Sequence, residues 1–195
     1  MRTSMFVAVG LGLAVTASTQ AQQREAGAHE HGRGTLNVAL EGSRLSMELE
    51  APGADIVGFE HRAKTQKQKS AVEAAKKKLA APQGLFELPA AAGCVLKEAK
   101  VELESENHDH AHDAKAAKGK DHGAKEKHDD SEHAAFKAEY AFDCKAPAGL
   151  TTIGFGYFKA FAGAQKLDVT VITPKQQSRF EVSRTNPRID LAGMM

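Results

Sequence analysis

Histidine is the residue type in this sequence with the clearest chemistry. Six of its nine histidines fall in Ser105–His133, which reads SENHDHAHDAKAAKGKDHGAKEKHDDSEH. Neutral imidazole is a good ligand for zinc, copper and nickel, and carboxylate is an accepted one for zinc. His108, His110 and His112 alternate with Asp109 and Ala111, and Asp113 follows. In an extended chain, side chains two apart share a face. Three imidazoles on one face can wrap a single ion, with His122, His128 or His133 as a fourth ligand and Asp109 or Asp113 as carboxylate donors. A solvated linker is the bland alternative, and the density of histidines argues against it.

A second cluster precedes the first strand. His29 and His31 flank Glu30 at the same spacing, and Glu60-His61 follows about thirty residues later. Each histidine alone is more often structural than ligating. Together His29, His31 and His61 can supply three imidazoles, with Glu30 or Glu60 completing the set. Hydrolytic zinc needs an open coordination position, an activated water and a placed base. No H-E-x-x-H stretch occurs, and HEH has the wrong spacing for two histidines on one helix face. The expectation is therefore a binding protein and not an enzyme. A rival reading is a pH-sensing or structural interaction domain, since imidazole titrates near pH 6.5. Chelation separates the two, because only a metal site loses its ligand to a chelator. The donor set leaves zinc, copper and nickel all open.

These side chains need a scaffold. Residues 1–21 carry one basic residue, a short apolar run and small residues at Thr19 and Ala21, as a secretory signal peptide does. Its apolar run is too short to span a membrane, and the rest is expected to be a soluble, exported, periplasmic domain over residues 22–195. Acidic and basic residues balance there, so no basic field exists to attract nucleic acid or anionic lipid. In an oxidising compartment the only two cysteines, Cys94 and Cys144, read as a disulfide.

Thr35–Glu41 and Arg44–Glu50 alternate apolar and polar around Gly42-Ser43, a hairpin signal. Pairing Glu41 with Arg44 sets Leu40 opposite Leu45, Val38 opposite Met47 and Leu36 opposite Leu49, all on one face. Ala54–His61 reads as a connector and Lys64–Ala80 as a surface helix with a thin apolar side. Cys94–Glu104 and Ala134–Cys144 are two more strands. The apolar set of the first changes parity between Leu96 and Ala99, which a β-bulge near Lys97-Glu98 reconciles. Leu150–Ala164 predicts a strand running into a short helix. Lys166–Thr173 and Ser178–Arg184 are further strands, and Arg188–Leu191 is a tail. The fold class is α+β, a mostly antiparallel sheet with one or two helices.

The histidine-rich stretch then lies inside a β-hairpin, as an insert over residues 105–133. It has no Ile, Leu, Val or aromatic residue and is expected to be disordered without a ligand. Closing a loop of about 29 residues rather than about 4 costs roughly 2 kcal/mol more in chain entropy. A disulfide enclosing it offsets that by up to roughly 4 kcal/mol.

The stretches HEHGRGTLNVALEG and SMELEAPGADIVGFEH, with the two cysteines and the histidine-rich insert, resemble the zinc-regulated periplasmic protein A (ZrgA) family across nearly all of residues 22–195. The resemblance implies a periplasmic zinc-binding accessory to a high-affinity zinc importer. Its implied role is to buffer zinc or hand it to the solute-binding protein of an ABC importer. It also strengthens His29, His31 and His61 as ligands. Inserts of this kind vary, so no residue of Ser105–His133 is assigned by resemblance.

Overall fold

The computed structural model describes residues 30–106 and 133–195. The expected signal peptide, His29, and His108, Asp109, His110, His112, Asp113, His122 and His128 lie outside the described residues, as does the expectation of disorder between the strands. In chain order the elements are β1 (Arg33–Glu41), β2 (Arg44–Pro52), α1 (Gly53–Val57), α2 (Gln66–Leu79) and β3 (Phe86–Glu87). They continue with β4 (Cys94–Glu106), β5 (His133–Cys144), β6 (Thr152–Phe155), α3 (Tyr157–Ala160), β7 (Lys166–Ile172), β8 (Gln177–Ser183) and β9 (Arg188–Asp190).

A six-stranded sheet runs β4-β5-β2-β1-β7-β8, and a three-stranded sheet runs β3-β6-β9. The β1–β2 hairpin has the register expected from its alternation, with Leu40 opposite Leu45 and Leu36 opposite Leu49. Gly42 sits at φ 58° and no non-glycine residue among those described has positive φ, which fits a type II′ turn led by glycine. β4 and β5 pair with Cys94 opposite Cys144 and a register shift between Leu96 and Glu98, as the change of parity requires. The two cysteines form a disulfide.

One face of the large sheet is apolar. Leu36, Val38, Leu45, Met47, Phe136, Tyr140, Leu167 and Val169 are all buried there. The small sheet closes over this face, with Phe86 edge-on to both Tyr140 and Phe155 at ring separations of 5.8 and 6.0 Å. α2 starts at a capping box in which Thr65 and Gln68 satisfy each other's backbone amides, and it buries Val72, Ala75 and Leu79. The Tyr140 hydroxyl donates to the Leu79 carbonyl at 2.9 Å and ties the end of α2 to β5.

The structure differs from the sequence reading in several features, among them the short strand β3 and three α-helices among the described residues where one or two are expected. The connector after β2 holds the short helix α1, and the tail forms β9 against β6. β1 also pairs with β7, and this pairing is parallel. Local alternation specifies a strand's faces but not a partner in the distant C-terminal third, so this neighbour is not legible in the sequence.

Candidate metal centre

The chain enters β1 through a tight turn, Glu30–Arg33, closed by the Arg33 amide donating to the Glu30 carbonyl at 3.0 Å. Gly32 occupies its third position at φ 83°, the left-handed conformation that a type II turn requires there. The Gly32 amide donates to Asp55 Oδ1 at 2.7 Å. Its carbonyl accepts from the amides of Gln165 and Lys166 at 2.9 and 2.8 Å. His31, next to this fixed peptide, projects an exposed imidazole.

Glu60 arrives from the other side of α1. That helix ends at Gly58, which adopts φ 84° and donates its amide to the Ala54 carbonyl. The chain then doubles back across Gly53. A Cβ on Gly53 would lie 2.7 Å from the Phe59 carbonyl oxygen and 2.9 Å from that of Ala134. Only glycine allows this approach, and it brings Glu60 beside the first residues of β5.

The result is a carboxylate between two imidazoles. His133 Nδ1 donates to Glu60 Oε2 at 2.9 Å. His31 Nε2 lies 3.0 Å from Glu60 Oε1, without the alignment of a hydrogen bond, so that buried oxygen has no hydrogen-bond partner. The Glu60 side chain is only 12% exposed. Burial pushes its carboxyl upward, but the His133 hydrogen bond and the two imidazoles outweigh this and hold it below the usual carboxylate range.

Two imidazole nitrogens and one carboxylate are a donor set suited to zinc. The under-used Oε1 and the facing ring nitrogen are both lone-pair atoms that a cation can share. Here the rings bracket opposite oxygens of Glu60 instead of converging on one point. Among the described residues, no three His, Cys, Asp or Glu side chains form a ready ligand group.

The other expected ligands go elsewhere. The His61 ring stacks on Phe59 at 5.1 Å, its Nδ1 donates to the Arg62 carbonyl at 3.0 Å, and its Nε2 faces the Gln68 amide at 3.4 Å. Its contacts are thus with Phe59, Arg62 and the start of α2. Glu30 is exposed and paired with Arg33 Nε at 3.2 Å. Arg33 also donates to Asp168 at 2.6 Å and to Glu181 at 3.1 Å, tying the turn to β7 and β8.

His133, expected as a ligand within the insert, is instead the first residue of β5, opposite Glu106. Nothing in the sequence singles out Asp55. It lies in an apolar run, and only its buried position in the fold sets it apart. No curated protein matches this sequence. The family model of the ZrgA zinc uptake proteins matches residues 28–191, most of the chain, and the chain belongs to that family.

Proposed function

We propose that the chain binds zinc outside the cytoplasm and acts as an accessory that buffers the ion or delivers it for uptake. In this reading His31, Glu60 and His133 form the core of a folded site, with His29 as a further ligand from the residue run just ahead of the turn. The histidines of Ser105–Glu132 are a weaker collecting set. The observation that carries the reading is Glu60, a shielded carboxylate between one imidazole at the entry to β1 and another at the exit of the histidine-rich segment.

Membership of a zinc uptake family supports zinc as the cargo. The Cys94–Cys144 disulfide fits an oxidising compartment, and among the described residues no helix is long and apolar enough to cross a membrane. The geometry suits exchange. Glu60 holds the His133 imidazole by a hydrogen bond and lies 3.0 Å from that of His31 without metal, so an arriving ion replaces contacts instead of ordering free side chains. The recipient in this reading is the solute-binding protein of a zinc ABC importer.

Calorimetric titration of the exported chain with zinc tests the proposal. One tight site and several weaker ones are expected. Deleting residues 107–132 should remove the weak sites and keep the tight one. Glu60→Ala or His133→Ala should remove the tight one and keep the weak ones. Elemental analysis of protein purified without chelator or affinity tag identifies the metal. Zinc-free protein that takes up no zinc at neutral pH would overturn the reading.

A further inference from the structure

Asp55 has no part in the ligand set proposed above, yet it is only 4% exposed and one of two buried polar or charged residues among those described. Its Oδ1 accepts the Gly32 amide at 2.7 Å, while its Oδ2 is buried with no hydrogen-bond partner. Burying a carboxylate is expensive unless its charge and hydrogen bonds are used. Apolar neighbours alone do not account for an ionisable side chain at this place.

Its surroundings show what it holds. Gly163 presses against the Asp55 backbone so closely that a Cβ there would lie 2.6 Å from the Asp55 carbonyl oxygen and 2.7 Å from its Cα. The stretch containing Gly163 is in turn gripped by Arg184, which donates to the carbonyls of Phe161, Ala162 and Ala164 at 2.7 to 2.8 Å. Two residues further on, the Gln165 amide binds the Gly32 carbonyl. The Gly32 residue is therefore clamped at its amide by Asp55 and at its carbonyl by Gln165 and Lys166. Glycine has no side chain to fix its own conformation, so these bonds define the turn. His31 is the neighbouring residue of that turn.

We propose that Asp55 is a positioning residue for metal binding: through the Gly32 amide it fixes the Glu30–Arg33 turn and so sets the His31 imidazole against Glu60. The inference rests on the reading of His31, Glu60 and His133 as a zinc site. Asp55 does not touch the ion; it acts through the backbone one residue from a ligand. Supporting groups of this kind commonly change metal affinity by about 10- to 100-fold when removed.

The test uses the full chain carrying His108→Asn, His110→Asn, His112→Asn, His122→Asn and His128→Asn, so that zinc reports the folded site, with affinity measured against a competing chelator. Asp55→Ala should weaken zinc about 10- to 100-fold. Asp55→Asn keeps an oxygen acceptor for Gly32 and should stay within about fivefold of the parent, the loss of charge assistance on one hydrogen bond. In a His31→Ala background, Asp55→Ala should add no further loss, because its effect passes through His31.

Asp55→Ala binding like the parent, or an undiminished loss in the His31→Ala background, overturns the proposal and leaves the zinc reading standing. A parent that binds no zinc overturns both. Should Asp55→Ala not fold, amide hydrogen exchange in the parent decides. The Gly32 amide should exchange slowly and shift on adding zinc, and a fast-exchanging Gly32 amide that ignores zinc overturns the proposal.

Discussion

The two ends of the β4–β5 hairpin are held by opposite kinds of chemistry. At one end Cys94 and Cys144 are joined covalently, with Cys144 fully buried. At the other, where the histidine-rich segment leaves and returns, His133 is held by one hydrogen bond to Glu60. The covalent end fixes register with or without a metal ion, as long as the disulfide is intact. The polar end is made of a carboxylate and imidazoles, groups that can trade a proton for a cation, so its contacts can be exchanged. In the function proposed above, stability and ligand response belong to different ends of one hairpin, about a dozen residues apart along each strand.

This contrast sets the scale of four expected outcomes. The largest belongs to the covalent end. Replacing Cys94 and Cys144 with alanine should cost roughly 4 kcal/mol by the chain-entropy argument for a link of this span, read by urea denaturation. Zinc affinity should change little once such a variant is folded. A large loss of affinity would show that the two ends are not independent.

The next effect belongs to the polar end. Zinc at about 100 times its dissociation constant should stabilise the wild type by about 2.7 kcal/mol. Chelator should reverse this, and Glu60→Ala should abolish it. If Glu60→Ala is stabilised as much as the wild type, the folded site lies elsewhere.

A smaller effect concerns acid. The Glu60 carboxyl titrates lower in the folded chain than in an unfolded one, so its contribution to metal-free stability is complete above the ordinary carboxyl range. It is lost as the pH falls through that range toward the lower folded value. Glu60→Gln should remove this part of the acid slope below about pH 4.5 and leave the slope above it, measured by thermal unfolding at a series of pH values. An unchanged acid limb would show that the imidazoles do not hold the carboxyl down.

The smallest effect is expected at His61. Its ring is engaged with Phe59, Arg62 and Gln68, so His61→Ala should change zinc affinity at the folded site by no more than about threefold, under 1 kcal/mol. A loss as large as that of His133→Ala would return His61 to the ligand set.

What the sequence reveals follows the distance over which each contact acts. The β1–β2 register is written in Gly42-Ser43 and in six alternating apolar residues, and it is observed. The bulge after Leu96 is legible because one extra residue on a strand is what moves its apolar set from even to odd positions, and it too is present. Pairing of the cysteines follows from their positions at matching strand ends. The approach of Glu60 to His133 is different, since 73 residues separate them and neither neighbourhood carries a mark of the other. His61 is the more visible candidate because it sits beside Glu60 in the sequence, but successive residues point in different directions. Asp55 is hidden for a related reason. An aspartate in an apolar run looks like a loop residue until the backbone it supports is known. The parallel β1–β7 pairing has no local turn to announce it.

That last pairing has a consequence for the order in which the molecule matures. Arg33 and Asp168, joined across β1 and β7, are 135 residues apart, and the turn bearing His31 is gripped by Gln165 and Lys166. Contacts of such long sequence separation form late, because chain closure must precede any gain from them. The β1–β2 and β4–β5 hairpins can assemble from neighbouring segments while the chain is still emerging. The His31 turn reaches its final form only after the C-terminal third has docked. A nascent or truncated chain therefore has its histidine-rich segment before it has the His31–Glu60–His133 arrangement, and in the function proposed above capacity for metal comes before selectivity.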